Sequence, residues 1–191
     1  DAAAFLSQQG QTETVSTLFK KSIHYDKNNI TAYLKFADTF FKNQQVEKGL
    51  EILQQAISHD PGITGTGLAL MVMNDIQTEQ MRMALPDRVK PYLVFGDFFV
   101  SMGNLAKAES AYRQALKHLP NENQIQKSHF IHVYKFYKRR QEYENALEII
   151  QQALKYFPKN HGLHRIAGDL YKKLGIDYRA DEEYRKAQML K

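Results

Sequence analysis

Two pairs of histidines stand three residues apart in this sequence, His129 with His132 and His161 with His164. On a helix this spacing places both imidazoles on one face, where they can bind a zinc ion. A zinc protease also needs a glutamate within the motif and a third ligand, and neither pair has them. The chain contains no cysteine either. We therefore expect no metal.

Two other segments contain residue types used in phosphate binding or acid–base catalysis. The glycines from Gly62 to Gly67 follow no predicted strand and lack the Lys-Ser or Lys-Thr ending of a P-loop, so we interpret them as a break between helices. Asp181, Glu182 and Glu183 lie among basic residues, a pattern typical of a solvated helix face. The sequence thus predicts a protein that is not an enzyme and needs no cofactor.

Composition and charge limit the remaining function classes. The 191 residues are 43% apolar and 25% charged, which allows a buried core without disulfides, and no long uncharged apolar run predicts a membrane span. Residues 1–88 contain 8 Lys or Arg against 10 Asp or Glu, whereas residues 89–191 contain 18 against 11. A basic C-terminal part favours an acidic partner.

Three segments of the chain end alike, with Gln-Ala and an aliphatic residue followed four residues later by proline: 55–61, 114–120 and 152–158. Before each proline, apolar residues recur at helical spacing in two bursts separated by a polar turn, such as 42–45 or 101–104. Each unit is therefore predicted to be a helical hairpin, and the repetition predicts an all-α fold.

These units resemble the tetratricopeptide repeat, a 34-residue helical hairpin with small residues at positions 8, 20 and 27, large ones between them and proline at position 32. A repeat starting at Val89 places Tyr92, Phe95, Gly96, Phe99, Ala108, Tyr112, Ala115 and Pro120 at the signature positions. Ile30, Lys127 and His161 start further matches, although Tyr134 occupies a small-residue position. The resemblance implies a right-handed superhelical solenoid of antiparallel helix hairpins.

We expect one domain over residues 1–191, divided into a truncated repeat, a repeat, an irregular helical insert and three further repeats. The corresponding ranges are 1–29, 30–63, 64–88, 89–122, 127–160 and 161–191. The truncated repeat matches at Ala3, Leu6, Val15, Phe19 and Ser22, with Lys27 in place of proline. Because solenoids need capped ends, we expect a piece of a larger protein or an end that a partner covers.

The insert 64–88 predicts a helix over 68–73 and a second short helix over 79–85, ended by Pro86. It contains four of the six methionines: Met71, Met73, Met81 and Met83. Methionine either fills irregular gaps in a core or forms an adaptable binding surface. For a degenerate hairpin between regular ones we favour the first interpretation.

The resemblance also implies which residues line the concave groove, namely positions 2, 5, 9, 12 and 13 of each first helix. The predicted partner-binding residues are Leu34, Phe41, Leu93, Asp97, Ile131, Lys135, Lys138, Arg139, Arg165, Lys172 and Lys173. This groove is apolar with acidic spots early in the chain and basic late. The clamp that grips chaperone tails in some family members is absent, since Leu93, Asp97, His132, Gly162 and Ile166 occupy its positions.

The leading hypothesis is a non-enzymatic scaffold for protein–protein interactions that holds a partner segment, apolar at one end and acidic at the other, in its groove. A basic helical repeat can also bind RNA, but this groove lacks a regular polar pair per repeat for base reading. The third hypothesis is an accessory segment of a larger bacterial membrane or polysaccharide-assembly protein, in the cytoplasm or periplasm. No direct membrane insertion by this segment is expected.

Overall fold

The structure is a computed structural model that describes residues 12–26 and 28–190. The described residues form eleven α-helices and no strand, which confirms the predicted all-α fold. None of these helices is both long and apolar enough to cross a membrane. The chain divides into two compact units, unit 1 (residues 1–111) and unit 2 (residues 112–191), and each is described by itself.

Unit 1 contains six complete helices and the first part of a seventh. They are α1 (Thr12–Tyr25), α2 (Ile30–Lys42), α3 (Val46–His59), α4 (Thr64–Met73), α5 (Thr78–Met81), α6 (Val89–Ser101) and α7 (Leu105–Lys117), with 3₁₀ turns at Pro61–Ile63 and Arg82–Ala84. Unit 2 contains the end of α7, a 3₁₀ turn at Leu119–Asn121, and four further helices. These are α8 (Lys127–Arg139), α9 (Tyr143–Tyr156), α10 (His161–Lys173) and α11 (Asp177–Met189).

The turns inside the hairpins share one conformation. The fifteenth residue of each repeat frame has a positive φ: 59° at Gln44 and Gln141, and 72° at Gly103 and Gly175. In each turn the following N–H donates to a carbonyl five residues earlier, for example Ile176 to Tyr171 at 2.9 Å. This is the Schellman ending of a helix, which favours a left-handed residue after the last helical turn.

Small residues let the helices of a hairpin approach closely. A Cβ atom added to Gly49 of α3 would lie 2.3 Å from the Phe41 ring of α2, and one added to Gly168 of α10 would lie 2.6 Å from the Tyr184 ring of α11. Ala153, at another small position, is completely buried. In each hairpin a large side chain of one helix therefore packs directly on the backbone of the other helix. A methyl group added at the glycine would prevent this contact.

The N-terminal part of unit 1 has its own apolar cluster between α1 and α2. Val15 and Phe19 are buried there with Phe36 and Phe40, and the Phe19 and Phe36 rings stack with centroids 5.0 Å apart. The predicted positions Ala3, Leu6 and Lys27 lie outside the described residues.

The interpretation of the glycines as a break between helices is wrong for part of the segment, because α4 begins at Thr64 and includes Gly65 and Gly67. A Cβ on Gly67 would stand 3.4 Å from the Ile57 side chain of α3, an ordinary van der Waals contact, so an alanine would also fit there. Helix α4 thus includes both glycines despite the poor helix propensity of this residue.

The four methionines of the insert divide into two classes. Met71 and Met81 are buried at 0% and 2% exposure, which fits core filling. Met73 and Met83 are 80% and 57% exposed, so core filling is wrong for these two residues. The insert therefore presents apolar side chains to the solvent.

The hairpin turns give a first prediction. Gly175→Gln should lower the free energy of unfolding by a few tenths of a kcal/mol, because the cost of a side chain at positive φ exceeds the entropy gained by replacing glycine, and no atom lies within 4 Å of its Cβ position. The reciprocal change Gln141→Gly should raise it by a few tenths of a kcal/mol, the left-handed cost being partly offset by glycine entropy. Urea denaturation measures both, and a stabilising Gly175→Gln would contradict this account.

The small positions give a second prediction. Ala153→Leu should destabilise the chain by about 1–3 kcal/mol, because a fully buried position in α9 has no room for three more carbons. Lys155→Leu, two residues later on the exposed side of α9, should change stability by less than about 0.5 kcal/mol. Thermal denaturation followed by circular dichroism compares the two, and equal effects would mean that the repeat frame is misaligned.

Candidate partner-binding site

The first histidine pair has structural contacts. His129 Nδ1 accepts a hydrogen bond from the backbone N–H of Gln126 at 3.4 Å, which caps the start of α8. Burial lowers the pKa of His129, and the charge of Glu122 opposes this shift. The His132 ring packs against Tyr112 with centroids 5.7 Å apart. Both side chains thus serve the packing of α8.

The second pair separates, with His161 exposed and His164 buried at 8% exposure. His164 Nδ1 lies 2.6 Å from Glu183 Oε2, and Nε2 lies 2.8 Å from the Pro158 carbonyl oxygen. Because both neighbours are acceptors, both contacts are hydrogen bonds when both ring nitrogens carry hydrogen. His164 thereby links α10 to α11 and to the preceding loop. In the described part of the chain, no three His, Asp or Glu side chains gather as a metal site.

Unit 1 contains an open groove between α4 and α6, with a volume of about 570 Å³. Its walls are formed by Gly65, Leu68, Ala69, Val72 and Met73 of α4 and by Val94, Asp97, Phe98 and Ser101 of α6. On each helix these residues recur at intervals of three and four, so each wall is a single helix face. Val72 and Met73 form an exposed rim at 47% and 80%.

A smaller groove of about 250 Å³ lies between α2 and α4. Leu34, Asp38 and Lys42 of α2 line it together with Leu70, Met73 and Asn74, and Lys35 completes it. Asp38 accepts from Lys42 at 2.6 Å and from the Asn74 side-chain amide at 3.1 Å. Met73 lines both grooves, which therefore meet at its side chain.

The structure separates the four predicted residues of unit 1. Leu34 lines the smaller groove and Asp97 the larger one. Phe41 and Leu93 are buried at 6% and 7% exposure. The Phe41 ring occupies the space above Gly49, and Leu93 belongs to the buried face of α6, which packs on α4. These two residues therefore present little surface to a partner.

Unit 2 has a basic surface on α8. Lys135, Lys138 and Arg139 are exposed, and their spacing places them on one helix face with the half-buried Ile131 one turn earlier. Helix α8 contains no Asp or Glu. Lys138 Nζ lies 5.7 Å from the centroid of the buried Tyr134 ring. Tyr134, which stands where the repeat normally has a small residue, thus gives Lys138 an aromatic neighbour.

The remaining predicted residues of unit 2 lie on α10, where Arg165, Lys172 and Lys173 are exposed. Lys135, Arg139, Lys172 and Lys173 have no ion-pair partner among the residues that the structure describes. Two other cations of unit 2 are paired: Arg140 lies 2.6 Å from Glu142, and Lys186 lies 2.7 Å from Glu182. We call Lys135, Arg139, Lys172 and Lys173, together with Lys138 and Arg165, the basic face. Exposed Asp169 of α10 lies one helical turn from Arg165, Lys172 and Lys173.

Helix dipoles account for part of the basic face. Lys138, Arg139, Lys172 and Lys173 stand in the last turns of α8 and α10, where a cation offsets the negative helix end by about 0.3–1 kcal/mol. Lys135 and Arg165 stand outside these turns. The dipole therefore gives no reason for a cation at these two positions.

Sequence reasoning missed most of the α4/α6 groove, including Val72, Met73, Val94 and Phe98. A usable signal was the run of six apolar residues from Leu68 to Met73. A helix with apolar residues on all faces is fully buried only if other elements pack against every face. Where the neighbouring elements are short, such a run therefore predicts an exposed apolar surface.

Comparison with known proteins matches two segments to the tetratricopeptide repeat, residues 31–62 and 89–117. A comparison with curated proteins finds no significant match. Among solved structures, MamA is similar at a TM-score of 0.46 and 16% identity, over 98% of this chain and 87% of MamA. YrrB, described as a TPR protein with an unusual peptide-binding site, is similar at 0.47 and 17%, over 91% and 92%. Neither likeness is close enough to say what this chain binds.

Proposed function

Because two segments of this chain match the tetratricopeptide repeat, we propose that it is a non-enzymatic scaffold that binds a segment of another protein on the exposed faces of its first helices. Repeats of this family generally serve as protein-interaction scaffolds. The observation that carries the proposal here is the basic face of unit 2, where four of the exposed cations have no ion-pair partner among the described residues. The segment bound there is acidic.

The charge distribution supports an acidic ligand for the basic face. Like charges on neighbouring turns repel one another by a few tenths of a kcal/mol per pair, which offsets part of the helix-dipole stabilisation from the four cations in the last turns. Each contact of an exposed cation with a partner carboxylate contributes about 0.2–1 kcal/mol, and several such contacts add up to measurable binding. Salt screens these contacts, so the affinity falls as ionic strength rises.

A protein segment suits this face better than single-stranded RNA. RNA binding without sequence readout combines cations with exposed aromatic rings on which bases stack. The aromatic residues next to the basic side chains in sequence are at most 8% exposed: Tyr134, Phe136, Tyr137 and Tyr171. None of these rings is available as a stacking platform.

The proposal predicts the effect of charge reversal outside the last helical turns. The double variant Lys135→Glu/Arg165→Glu should bind a labelled glutamate-rich peptide of about ten residues at least tenfold more weakly, because two attractive contacts become repulsive. The helix-dipole contributions of Lys138, Arg139, Lys172 and Lys173 remain unchanged. Fluorescence anisotropy at about 0.05 M and 0.2 M salt measures the affinity and its salt dependence.

The control is Lys155→Glu/Lys159→Glu, which changes the net charge equally at two exposed positions of unit 2 that do not belong to the basic face. Because Lys155 stands in the last turn of α9, circular dichroism checks that this variant is folded. It should bind the peptide nearly as well as the unmodified chain. Equal losses in both variants would mean that net charge alone attracts the peptide. A preference for oligouridylate over the peptide, lost in the first variant, would favour RNA and contradict the proposal.

A further inference from the structure

We infer that Tyr184 of α11 is a positioning residue of the basic face. Its hydroxyl holds the carboxylate of Asp169 away from the neighbouring cations of α10, so that these cations stay open to an acidic partner segment. The inference rests on the proposed function and deepens it, because it names the group that determines how many cations of α10 the partner can reach.

The Asp169 carboxylate lies among cations but pairs with none of them. Asp169 is exposed on α10, with Arg165 four residues before it and Lys172 and Lys173 three and four residues after it. Residues at these spacings are neighbours on a helix surface, where opposite charges can form ion pairs. In the part of the chain that the structure describes, Asp169 has no ion-pair partner, and its carboxylate accepts a hydrogen bond from the Tyr184 hydroxyl at 2.9 Å.

Packing within the hairpin brings the hydroxyl to this position. The Tyr184 ring lies on the backbone of α10 at Gly168, where an added Cβ would be 2.6 Å from the ring. Gly168 immediately precedes Asp169, so a ring in this place ends with its hydroxyl at the carboxylate. Tyr184 is half-buried against α10, and the fold therefore fixes its orientation before any partner arrives.

The Tyr184 hydroxyl keeps its hydrogen at neutral pH. Desolvation raises the pKa of Tyr184, and the hydrogen bond and negative charge of Asp169 raise it further, whereas the charge of Arg165 opposes the shift. A neutral phenol donates, and a hydrogen bond to a carboxylate is roughly twice as strong as one between neutral groups. An exposed ion pair along α10 is weak by comparison, because it must immobilise a long side chain. The hydroxyl therefore prevails over the neighbouring cations.

Unit 1 provides an internal comparison, because α2 has an aspartate and a lysine at the same repeat positions as α10. They are Asp38 and Lys42, four residues apart, as Asp169 and Lys173 are. In α2 the two groups form an ion pair, with Lys42 Nζ 2.6 Å from one Asp38 oxygen, and the other oxygen accepts from the Asn74 side-chain amide. A pair at this spacing thus forms on a first helix of this fold.

The two hairpins differ in the facing residue of the second helix. The counterpart of Tyr184 at the same repeat position is Leu53 of α3, whose side chain has no hydrogen-bond donor. Where the hydroxyl is missing, the aspartate pairs with the lysine, and where it is present, the aspartate does not. Tyr184→Phe should therefore give α10 the arrangement of α2 and remove a cation from the basic face.

The test uses the full chain and the labelled glutamate-rich peptide at about 0.05 M salt. Tyr184→Phe keeps the ring on Gly168 and removes only the hydroxyl, so it should weaken peptide binding about threefold, as expected for the loss of one exposed ion contact. The control Tyr156→Phe removes a hydroxyl that has no hydrogen bond among the described residues, and it should leave the dissociation constant unchanged. Circular dichroism checks that both variants are folded.

A double-mutant cycle separates positioning from a purely structural role. Asp169→Asn should strengthen peptide binding about twofold, because it removes the negative charge from among the cations. In the Asp169→Asn background, Tyr184→Phe should have no effect, because no carboxylate is left to pair with the cations. A loss of affinity through disturbed packing would instead be the same in both backgrounds.

The inference is supported if Tyr184→Phe weakens peptide binding about threefold when Asp169 is present and not in the Asp169→Asn background. Equal affinity of Tyr184→Phe and the unmodified chain, or equal losses in both backgrounds, would overturn it. If Lys135→Glu/Arg165→Glu weakens peptide binding while Tyr184→Phe does not, the inference is wrong and the proposed function stands. If the unmodified chain does not bind the peptide, both are wrong.

Discussion

The close approach of helices at small residues is the constraint on which the rest of the structure depends. Phe41 packs on Gly49 in unit 1, and Tyr184 packs on Gly168 in unit 2, in each case nearer than a Cβ atom would allow. These contacts hold the two helices of a hairpin together and leave the opposite faces of the first helices uncovered. The fold therefore decides which side chains are exposed, among them Lys135 and Met73.

The repeat frame was predictable because it depends on side-chain size at fixed local spacing. Helices begin at Ile30, Val89, Lys127 and His161, the residues taken as the first positions of the four matches. The small positions of the repeat could likewise be assigned from the sequence. The burial of Phe41 was not predicted, because it depends on the space that Gly49 leaves for the Phe41 ring on the facing helix. The sequence thus predicted those parts of the fold that depend on residues close together in the chain.

The insert was less predictable because contacts distant in sequence determine it. Gly67 lies inside α4 and next to the Ile57 side chain of α3, and the local sequence does not predict that contact. The exposure of Met73 depends in the same way on which helices border α4. The sequence identified the methionines as either core or surface residues. Which of them are buried and which are exposed depends on tertiary contacts that the sequence alone does not reveal.

The central claim is that the chain binds another protein through the basic face of unit 2. Site-specific photo-crosslinking in the source cells tests it most directly, with a photoreactive phenylalanine placed at Lys138 or Lys172 and, as controls, at Met83 or Lys155. The account predicts adducts with other proteins from the first two positions and few from the controls, which are exposed but do not belong to the basic face. Adducts from all four positions alike, or from the controls alone, would contradict it.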